Sequence, residues 1–207
     1  MSLILYLSGV YTGFYIQQST IQYTEQRIQS LERRLENIQL EYMYLSTMGK
    51  DVACDFLSVL VDQANREVWD IGKQLVALET IDADSEKISQ LTSEYSLLSV
   101  RAWILNTFVN EKCEENRAVI LYFYSVPCPD CIEQGKVLDD LRDNYFVDML
   151  RIFVLNTNSG EPIAQDLMKT YDIDQTPSIV VGNTTYVGFV RKEKLIDVIN
   201  STLNQST

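Results

Sequence analysis

The stretch RAVILYFYSVPCPDC, residues 117–131, decides the fold. Residues 118–124 form a continuous apolar run with many aromatic and β-branched side chains, which is typical of a strand buried on both faces. A short segment ends at Pro127, and Cys128 and Cys131 then precede apolar residues at helical spacing. The stretch therefore predicts a buried strand that leads into a helix, with a Cys-x-x-Cys motif at the junction.

The residues that follow predict a mixed α/β region. A second apolar run indicates another strand, and a helical pattern comes after it. A tight turn at Asn183 and Thr184 joins two further short strands, and apolar residues at helical spacing complete the region. We place these elements at 150–155, 162–171, 179–181, 186–189 and 192–203.

This order of elements resembles the thioredoxin family over residues 117–203. The resemblance implies an α/β thioredoxin-like fold, preceded here by an all-α helical bundle or coiled-coil region. It also implies thiol–disulfide oxidoreductase activity without a bound cofactor, and a cis Pro177 that lies against the cysteine pair. The matching features are the strand 119–124, the motif Cys128-Pro129-Asp130-Cys131, the dipeptide Thr176-Pro177, and Gly188.

The chemistry of the motif favours the same activity. A helix N-terminus stabilises a thiolate through its free N–H groups and its partial positive charge. Cys128, at the helix start, is therefore the expected nucleophile, and Cys131, one turn further on, is the thiol expected to resolve the mixed disulfide. The residues expected to bind the substrate are Pro127, Pro129, Asp130, Thr176 and Pro177.

Some positions depart from the family's pattern. Tyr122 stands where many thioredoxins carry a buried Asp that assists proton transfer from the second cysteine, and Pro127 stands where a Trp is usual. Asp130 also places a negative charge beside the thiolate. The sequence therefore leaves both directions of electron flow open, reduction of substrates and oxidation of substrates.

The composition excludes several functional classes. The 207 residues carry a net charge of −12 and include no His. An acidic balance argues against nucleic-acid binding, which needs a basic face, and the lack of His removes His-based catalysis and His-ligated metals. A structural disulfide or half of a zinc site is the alternative for Cys128 and Cys131. No second Cys-x-x-Cys completes a zinc set, so we expect no metal.

The N-terminus predicts a membrane anchor. Residues 3–16 carry no charge, although they are shorter than the roughly 20 residues that a full span needs. Uncharged flanks lengthen this segment, since the first charge is Glu25. We therefore assign residues 1–16 as a single N-terminal anchor, with the rest of the chain outside the cytoplasm. A buried amphipathic helix of a soluble bundle is the alternative.

Residues 17–49 predict one long helix with a heptad pattern. Arg27 and Glu32 are placed to pair across a parallel dimer. A coiled-coil homodimer and packing of the apolar stripe on the following helices are both open. The a and d positions hold Ile21, Thr24, Ile28, Leu31, Leu35, Ile38, Tyr42 and Leu45.

Residues 50–116 predict a helical hairpin, and residues 117–207 the thioredoxin-like domain. Helical patterns cover about 51–79 and 85–113, with a turn near Asp82 between them.

The hairpin carries the other two cysteines. Antiparallel helices that turn near Asp82 place Cys54 and Cys113 at the same end of the hairpin. Three interpretations are open: a disulfide between them, two independent core residues, or a relay that exchanges electrons with the Cys-x-x-Cys motif.

Together these features predict a membrane-anchored thiol–disulfide oxidoreductase. Its partners would be proteins with thiols or disulfides, a redox donor or acceptor protein, and the membrane through residues 3–16. One alternative is a non-catalytic adaptor that uses the coiled coil and a thioredoxin-fold docking domain. Another is a soluble cytosolic reductase in which residues 3–16 belong to a core.

Overall fold

The structure is a computed structural model that describes residue 47 and residues 50–80, 85–113 and 115–205. The predicted anchor at 3–16 lies outside the described residues. The predicted heptad helix at 17–49 also lies outside them, apart from Thr47. The long helix and its homodimer therefore stay predictions.

The predicted localisation, a membrane protein with a single anchor and its remainder outside the cytoplasm, is corrected by the structure. No helix within the described ranges combines the length and the apolar character that a membrane crossing requires. The longest helix of this part, residues 50–80, has sufficient length, but charged residues such as Asp55, Glu67 and Lys73 recur along it. Charged side chains at this frequency are costly inside a bilayer.

Two long helices form the first part of the described chain. Helix α1 spans Lys50–Thr80 and helix α2 spans Ser85–Lys112, close to the predicted bounds. Buried residues of α1 recur three and four positions apart, the spacing of one helix face. They include Leu57, Leu60, Val61 and Ala64, and those of α2 include Val100, Ala102 and Val109.

Polar contacts fix how the two helices face each other. Arg101 forms a salt bridge with Glu67 at 3.2 Å, and the Asn106 side-chain amide donates a hydrogen bond to the Asn65 side-chain oxygen at 3.0 Å. Not every apolar residue of the helical pattern is buried, since Trp69 is 60% exposed. This side chain lies at the candidate site described below.

The described residues also form a four-stranded sheet in the order β2-β1-β3-β4. Strand β1 pairs in parallel with β2 and antiparallel with β3, which pairs antiparallel with β4. The tight β3–β4 turn contains Gly182 at φ +57°, a conformation that glycine adopts at little cost. The strands are β1 (Ala118–Tyr124), β2 (Leu150–Asn156), β3 (Ser178–Val181) and β4 (Thr184–Val187).

Helices cover both faces of the sheet, and this explains why β1 is apolar without interruption. Side chains of β1 alternate between faces, so Ile120 and Tyr122 join one core cluster while Leu121 and Phe123 join the other. The first face packs on α3 (Pro129–Asp140), a following π-helical turn (Leu141–Tyr145) and α5 (Lys192–Gln205). The second face packs on α1, α2 and α4 (Pro162–Thr170).

This strand order and helix placement confirm the predicted thioredoxin-like α/β fold preceded by helices. The α1–α2 hairpin shares the second core cluster with the sheet, through Ala64 of α1 and Val100 of α2. Helix α3 is the crossover that a parallel pair such as β1 and β2 requires. It therefore starts at the carboxyl end of the central strand β1, where the Cys-x-x-Cys motif lies.

Candidate active site

Cys128 is the N-cap residue of α3. Its backbone is extended, at φ −153°, and its Sγ accepts a hydrogen bond from the Cys131 backbone N–H at 3.1 Å. Pro129 occupies the first turn, where the N–H that proline lacks has no partner within the helix. The sulfur therefore lies at a helix N-terminus, an environment that stabilises a thiolate once the cysteine is reduced.

Cys128 and Cys131 form a disulfide, with an S–S distance of 2.06 Å. Cys131 is only 5% exposed, whereas Cys128 is partly exposed. An incoming thiolate must reach the sulfur that it attacks. The difference in exposure makes Cys128 the accessible sulfur and keeps Cys131 behind it.

Tyr122 of β1 contacts the second cysteine. Its hydroxyl donates a hydrogen bond to the Cys131 carbonyl oxygen at 2.7 Å, and its side chain is buried. Burial, with a smaller contribution from Tyr124, raises the pKa of Tyr122. The hydroxyl therefore stays protonated near neutral pH, so it orients the start of α3 and does not act as a base for Cys131.

The Thr176-Pro177 peptide bond is cis, and the loop that contains it approaches the end of β1. The Ser125 and Thr176 hydroxyls lie 2.6 Å apart, and the Gly188 N–H donates to the Pro177 carbonyl oxygen at 2.8 Å. The Val126-Pro127 bond, directly before the motif, is also cis. Ser125 is the residue that joins the cis-proline loop to the motif, and sequence reasoning did not select it.

Gln134 braces α3 from inside the core. Its side chain is fully buried, and its Oε1 accepts a hydrogen bond from the Val190 backbone N–H at 2.7 Å. Its Nε2 has no hydrogen-bond partner among the described residues. The segment after β4 thus holds both the cis-proline loop, through Gly188, and the helix of the two cysteines, through Val190. A polar residue one turn beyond Cys131 was the only sequence signal for this brace.

The disulfide opens into a groove with a volume of about 1300 Å³. Of the predicted site residues, Pro127, Cys128, Pro129 and Cys131 line this groove. Asp130 is exposed but is not among its lining residues, and neither are Thr176 and Pro177.

The opposite wall of the groove comes from α1, which sequence reasoning did not connect with the motif. Arg66, Trp69 and Lys73 line it, and the Lys73 Nζ lies 4.6 Å from the Trp69 ring centroid. The only signal in the sequence was the spacing of Asp62, Trp69 and Val76, seven residues apart on one face of the helix.

Cys54 and Cys113 form a second disulfide, with a Cα–Cα distance of 5.7 Å. It joins the first turns of α1 to the residue that follows α2, and neither cysteine lines the groove. Each described cysteine is thus bonded within its own pair. In the described ranges, no group of three or more His, Cys, Asp or Glu side chains has the arrangement of a metal site.

No family model matches this sequence, and no curated protein matches it either. Solved structures of thioredoxin-like proteins do match. A thioredoxin-like protein from Clostridium perfringens is 26% identical, over 44% of this chain and 75% of that one, with a TM-score of 0.37. Malassezia sympodialis thioredoxin is 18% identical, over 47% and 84%, with a TM-score of 0.36. Chloroplastic thioredoxin z is 13% identical, over 47% and 88%, with a TM-score of 0.37.

Proposed function

We propose that this protein is a thiol–disulfide oxidoreductase that acts on protein substrates through Cys128 and Cys131. The observation that carries the proposal is the position of the pair: a partly exposed Cys128 caps a helix and is bonded to a buried Cys131. An accessible sulfur at a helix N-terminus, with a second sulfur within bonding distance, is the arrangement that thiol–disulfide exchange needs.

In the reducing direction, the Cys128 thiolate attacks one sulfur of a substrate disulfide. A bond forms between Cys128 and that sulfur, the substrate S–S bond breaks, and the other substrate sulfur leaves as a thiolate that takes a proton from water. The Cys131 thiolate then attacks Cys128, which restores the disulfide and releases the second substrate thiolate. Two electrons pass to the substrate, and a dithiol reductant must return them to the pair.

In the oxidising direction the same steps run in reverse. A substrate thiolate attacks Cys128, Cys131 leaves as a thiolate, and a second substrate thiolate attacks the mixed disulfide at the substrate sulfur. The substrate gains a disulfide, and the pair is left reduced until a disulfide oxidant accepts its two electrons.

Contact with the substrate is assigned to the surface around Cys128. Pro127 and Pro129 flank the sulfur in the groove, and Asp130 is exposed beside it. Thr176 is partly exposed and Pro177 is buried, so in this proposal the Thr176 backbone carries the contact from the cis-proline loop.

The test is the reduction of insulin by dithiothreitol, with thiol trapping and mass spectrometry of the protein. We expect the wild-type protein to accelerate the reaction and Cys128→Ser to abolish the acceleration. Reduced Cys131→Ser, mixed with insulin after dithiothreitol has been removed, is expected to accumulate a mixed disulfide at Cys128. The matched control is Cys54→Ser with Cys113→Ser, which removes the other disulfide and leaves the exchange in place. A folded wild-type protein with no exchange would contradict the proposal and favour the non-catalytic adaptor.

Titration of the pair in glutathione buffers determines the direction. A reduction potential near about −270 mV indicates a reductase, and one between about −120 and −180 mV indicates an oxidant or an isomerase.

A further inference from the structure

Strand β2 lies at one edge of the sheet formed by the described residues, with β1 on its inner side. The Ala118 N–H bonds the Met149 carbonyl, and the Thr157 N–H bonds the Tyr124 carbonyl, each at 2.8 Å. In a parallel ladder, alternate residues of a strand bond the same neighbour. Met149 and Thr157 therefore identify the odd-numbered residues of β2 as the ones that bond β1. The even-numbered residues Ile152 and Val154 direct their N–H and C=O groups away from β1.

The outer edge of β2 is open within the part of the chain that the structure describes. No backbone or side-chain hydrogen bond from a described residue reaches the main-chain groups of Ile152 or Val154. Both residues line the groove that contains Cys128. An open strand edge and an accessible disulfide sulfur thus share one groove.

The walls of this groove are apolar and exposed. Trp69 of α1 is 60% exposed and Ile132 of α3 is 62% exposed, and both line the groove with the two β2 residues. Exposed apolar walls beside an open strand edge suit an extended peptide, because the edge bonds its main chain while the walls contact alternate side chains.

The charge of the groove is opposite to that of the whole protein, whose net charge is −12. Its lining contains four basic residues and two acidic ones, Asp62 and Asp139, and Asp139 forms a salt bridge with Arg142. The other three basic residues, Arg66, Lys73 and Arg151, form no salt bridge with a described carboxylate. Charge complementarity therefore points to an acidic occupant.

We propose that the groove binds an extended, acidic and apolar segment of the substrate protein as an added strand on β2. The segment bonds Ile152 and Val154, its acidic side chains face Arg66 and Lys73, and its cysteine reaches Cys128. This substrate class rests on the proposed function, since it is defined by the sulfur that the segment presents to Cys128.

The probe is a synthetic peptide of alternating Val and Glu residues with one Cys, activated as a thiopyridyl disulfide. The full-length Cys131→Ser variant is used, so that Cys128 forms a stable mixed disulfide and releases thiopyridone, which is followed by absorbance. Hydroxyethyl thiopyridyl disulfide has the same leaving group but no peptide, and it reports the intrinsic reactivity of Cys128. A twin peptide with methylated central amides is unable to form ladder hydrogen bonds.

The rate of each peptide is divided by the rate of the small reagent. We expect this ratio to be about tenfold higher for the unmethylated peptide than for its methylated twin, because only the unmethylated peptide can add to the strand edge. We also expect the Ile152 and Val154 amides to exchange hydrogen more slowly in the tethered complex, as measured by NMR. Equal rates for the two peptides, or unchanged exchange of both amides, would show the added strand to be wrong.

Charge reversal tests the acidic character of the segment. In the Arg66→Glu, Lys73→Glu variant, the rate for the peptide relative to the small reagent is expected to fall about tenfold, because attraction becomes repulsion. Lys87→Glu with Lys169→Glu makes the same change in net charge outside the groove and is expected to leave that ratio unchanged. An equal fall in both variants would overturn the assignment to the groove.

Two further outcomes separate this inference from the proposed function. If Cys128 fails to react even with the small reagent, the proposed function is wrong, and the substrate class is wrong with it. If the untethered protein gains protection at Ile152 and Val154 as its concentration rises, the occupant is a second copy of the chain. That result overturns the substrate segment and leaves the proposed function intact.

Discussion

The Tyr122 hydroxyl donates a hydrogen bond to the Cys131 carbonyl oxygen at 2.7 Å, so the central strand holds the first turn of the helix that carries both cysteines. A carboxylate at this position would offer a proton acceptor to Cys131. The buried tyrosine offers a donor, and it stays protonated because burial raises its pKa. In the proposed reaction, the proton of Cys131 therefore leaves to water.

The first prediction concerns this hydroxyl. Tyr122→Phe is expected to lower the free energy of unfolding by about 0.5–1.5 kcal/mol, because one buried hydrogen bond to the Cys131 carbonyl is lost. The pH dependence of exchange at the redox pair should not change, since the hydroxyl does not titrate in the working range. Urea denaturation and rates from pH 6 to pH 9 measure the two effects.

The control is Tyr186→Phe, which removes a hydroxyl from strand β4 outside the motif. It should leave both quantities close to the wild-type values. A pH profile that shifts in Tyr122→Phe alone would show that the hydroxyl takes part in proton transfer.

The second prediction concerns the Cys54–Cys113 disulfide, which joins α1 to the residue after α2. Cys54 and Cys113 are 59 residues apart in the sequence. Closing a loop of this length restricts the unfolded chain, so Cys54→Ser with Cys113→Ser is expected to lower the free energy of unfolding by about 4 kcal/mol. Denaturation of the oxidised wild type and the double variant gives the difference. A change below about 1 kcal/mol would show that the unfolded chain is not restricted in this way.

The third prediction concerns the brace at Gln134. Gln134→Met keeps the side-chain volume but leaves the buried Val190 N–H without its acceptor, at an expected cost of about 1–3 kcal/mol. The loop that carries Gly188 should also loosen, with faster amide hydrogen exchange at Gly188 and Val190. Unchanged exchange at both amides would mean that the loop is held by other contacts.

The fourth prediction concerns stability in acid. The Lys192 ammonium and then the Asn144 amide lower the pKa of Asp140 from its ordinary 3.8. Between the lowered folded value and 3.8, the unfolded state binds more protons, so stability increases with pH through this range. The contribution is present above about pH 4 and is lost as the pH falls through the folded pKa.

Asp140→Asn isolates this effect, because an amide neither titrates here nor pairs ionically with Lys192. The melting temperature of the wild type should fall more steeply than that of the variant between about pH 5 and pH 2. Parallel curves would show that the Asp140–Lys192 pair, 2.5 Å apart in the structure, does not contribute to acid sensitivity.

The α/β part could be predicted closely because its signals are local. The apolar run that becomes β1, Ala118–Tyr124, has this character because both of its faces are covered, and Pro129 marks a helix start. Cys128 could be placed at a helix N-terminus from the same local pattern.

The groove could not be predicted, because it depends on contacts between residues far apart in the sequence. Trp69 has the helical spacing of a core residue, and only the docking of the hairpin on the sheet decides that it faces the groove. Whether Cys54 faces Cys113 depends in the same way on the rotation of α1 about its axis. The sequence therefore left a disulfide, two independent core residues and a relay as alternatives. The Tyr122 hydrogen bond depends on the distance between a strand and the following helix, which no periodicity encodes.

The bond between Cys54 and Cys113 makes the two helices and their connection a covalent ring, from which the rest of the chain continues. One backbone cut inside this ring leaves a single covalent molecule, whereas a cut outside it produces two, unless it falls between Cys128 and Cys131. A protease site inserted next to Asp82 should therefore yield one band on a non-reducing gel and two bands after reduction. The helical wall beside Cys128 would stay attached to the sheet even when the polypeptide between the helices is broken.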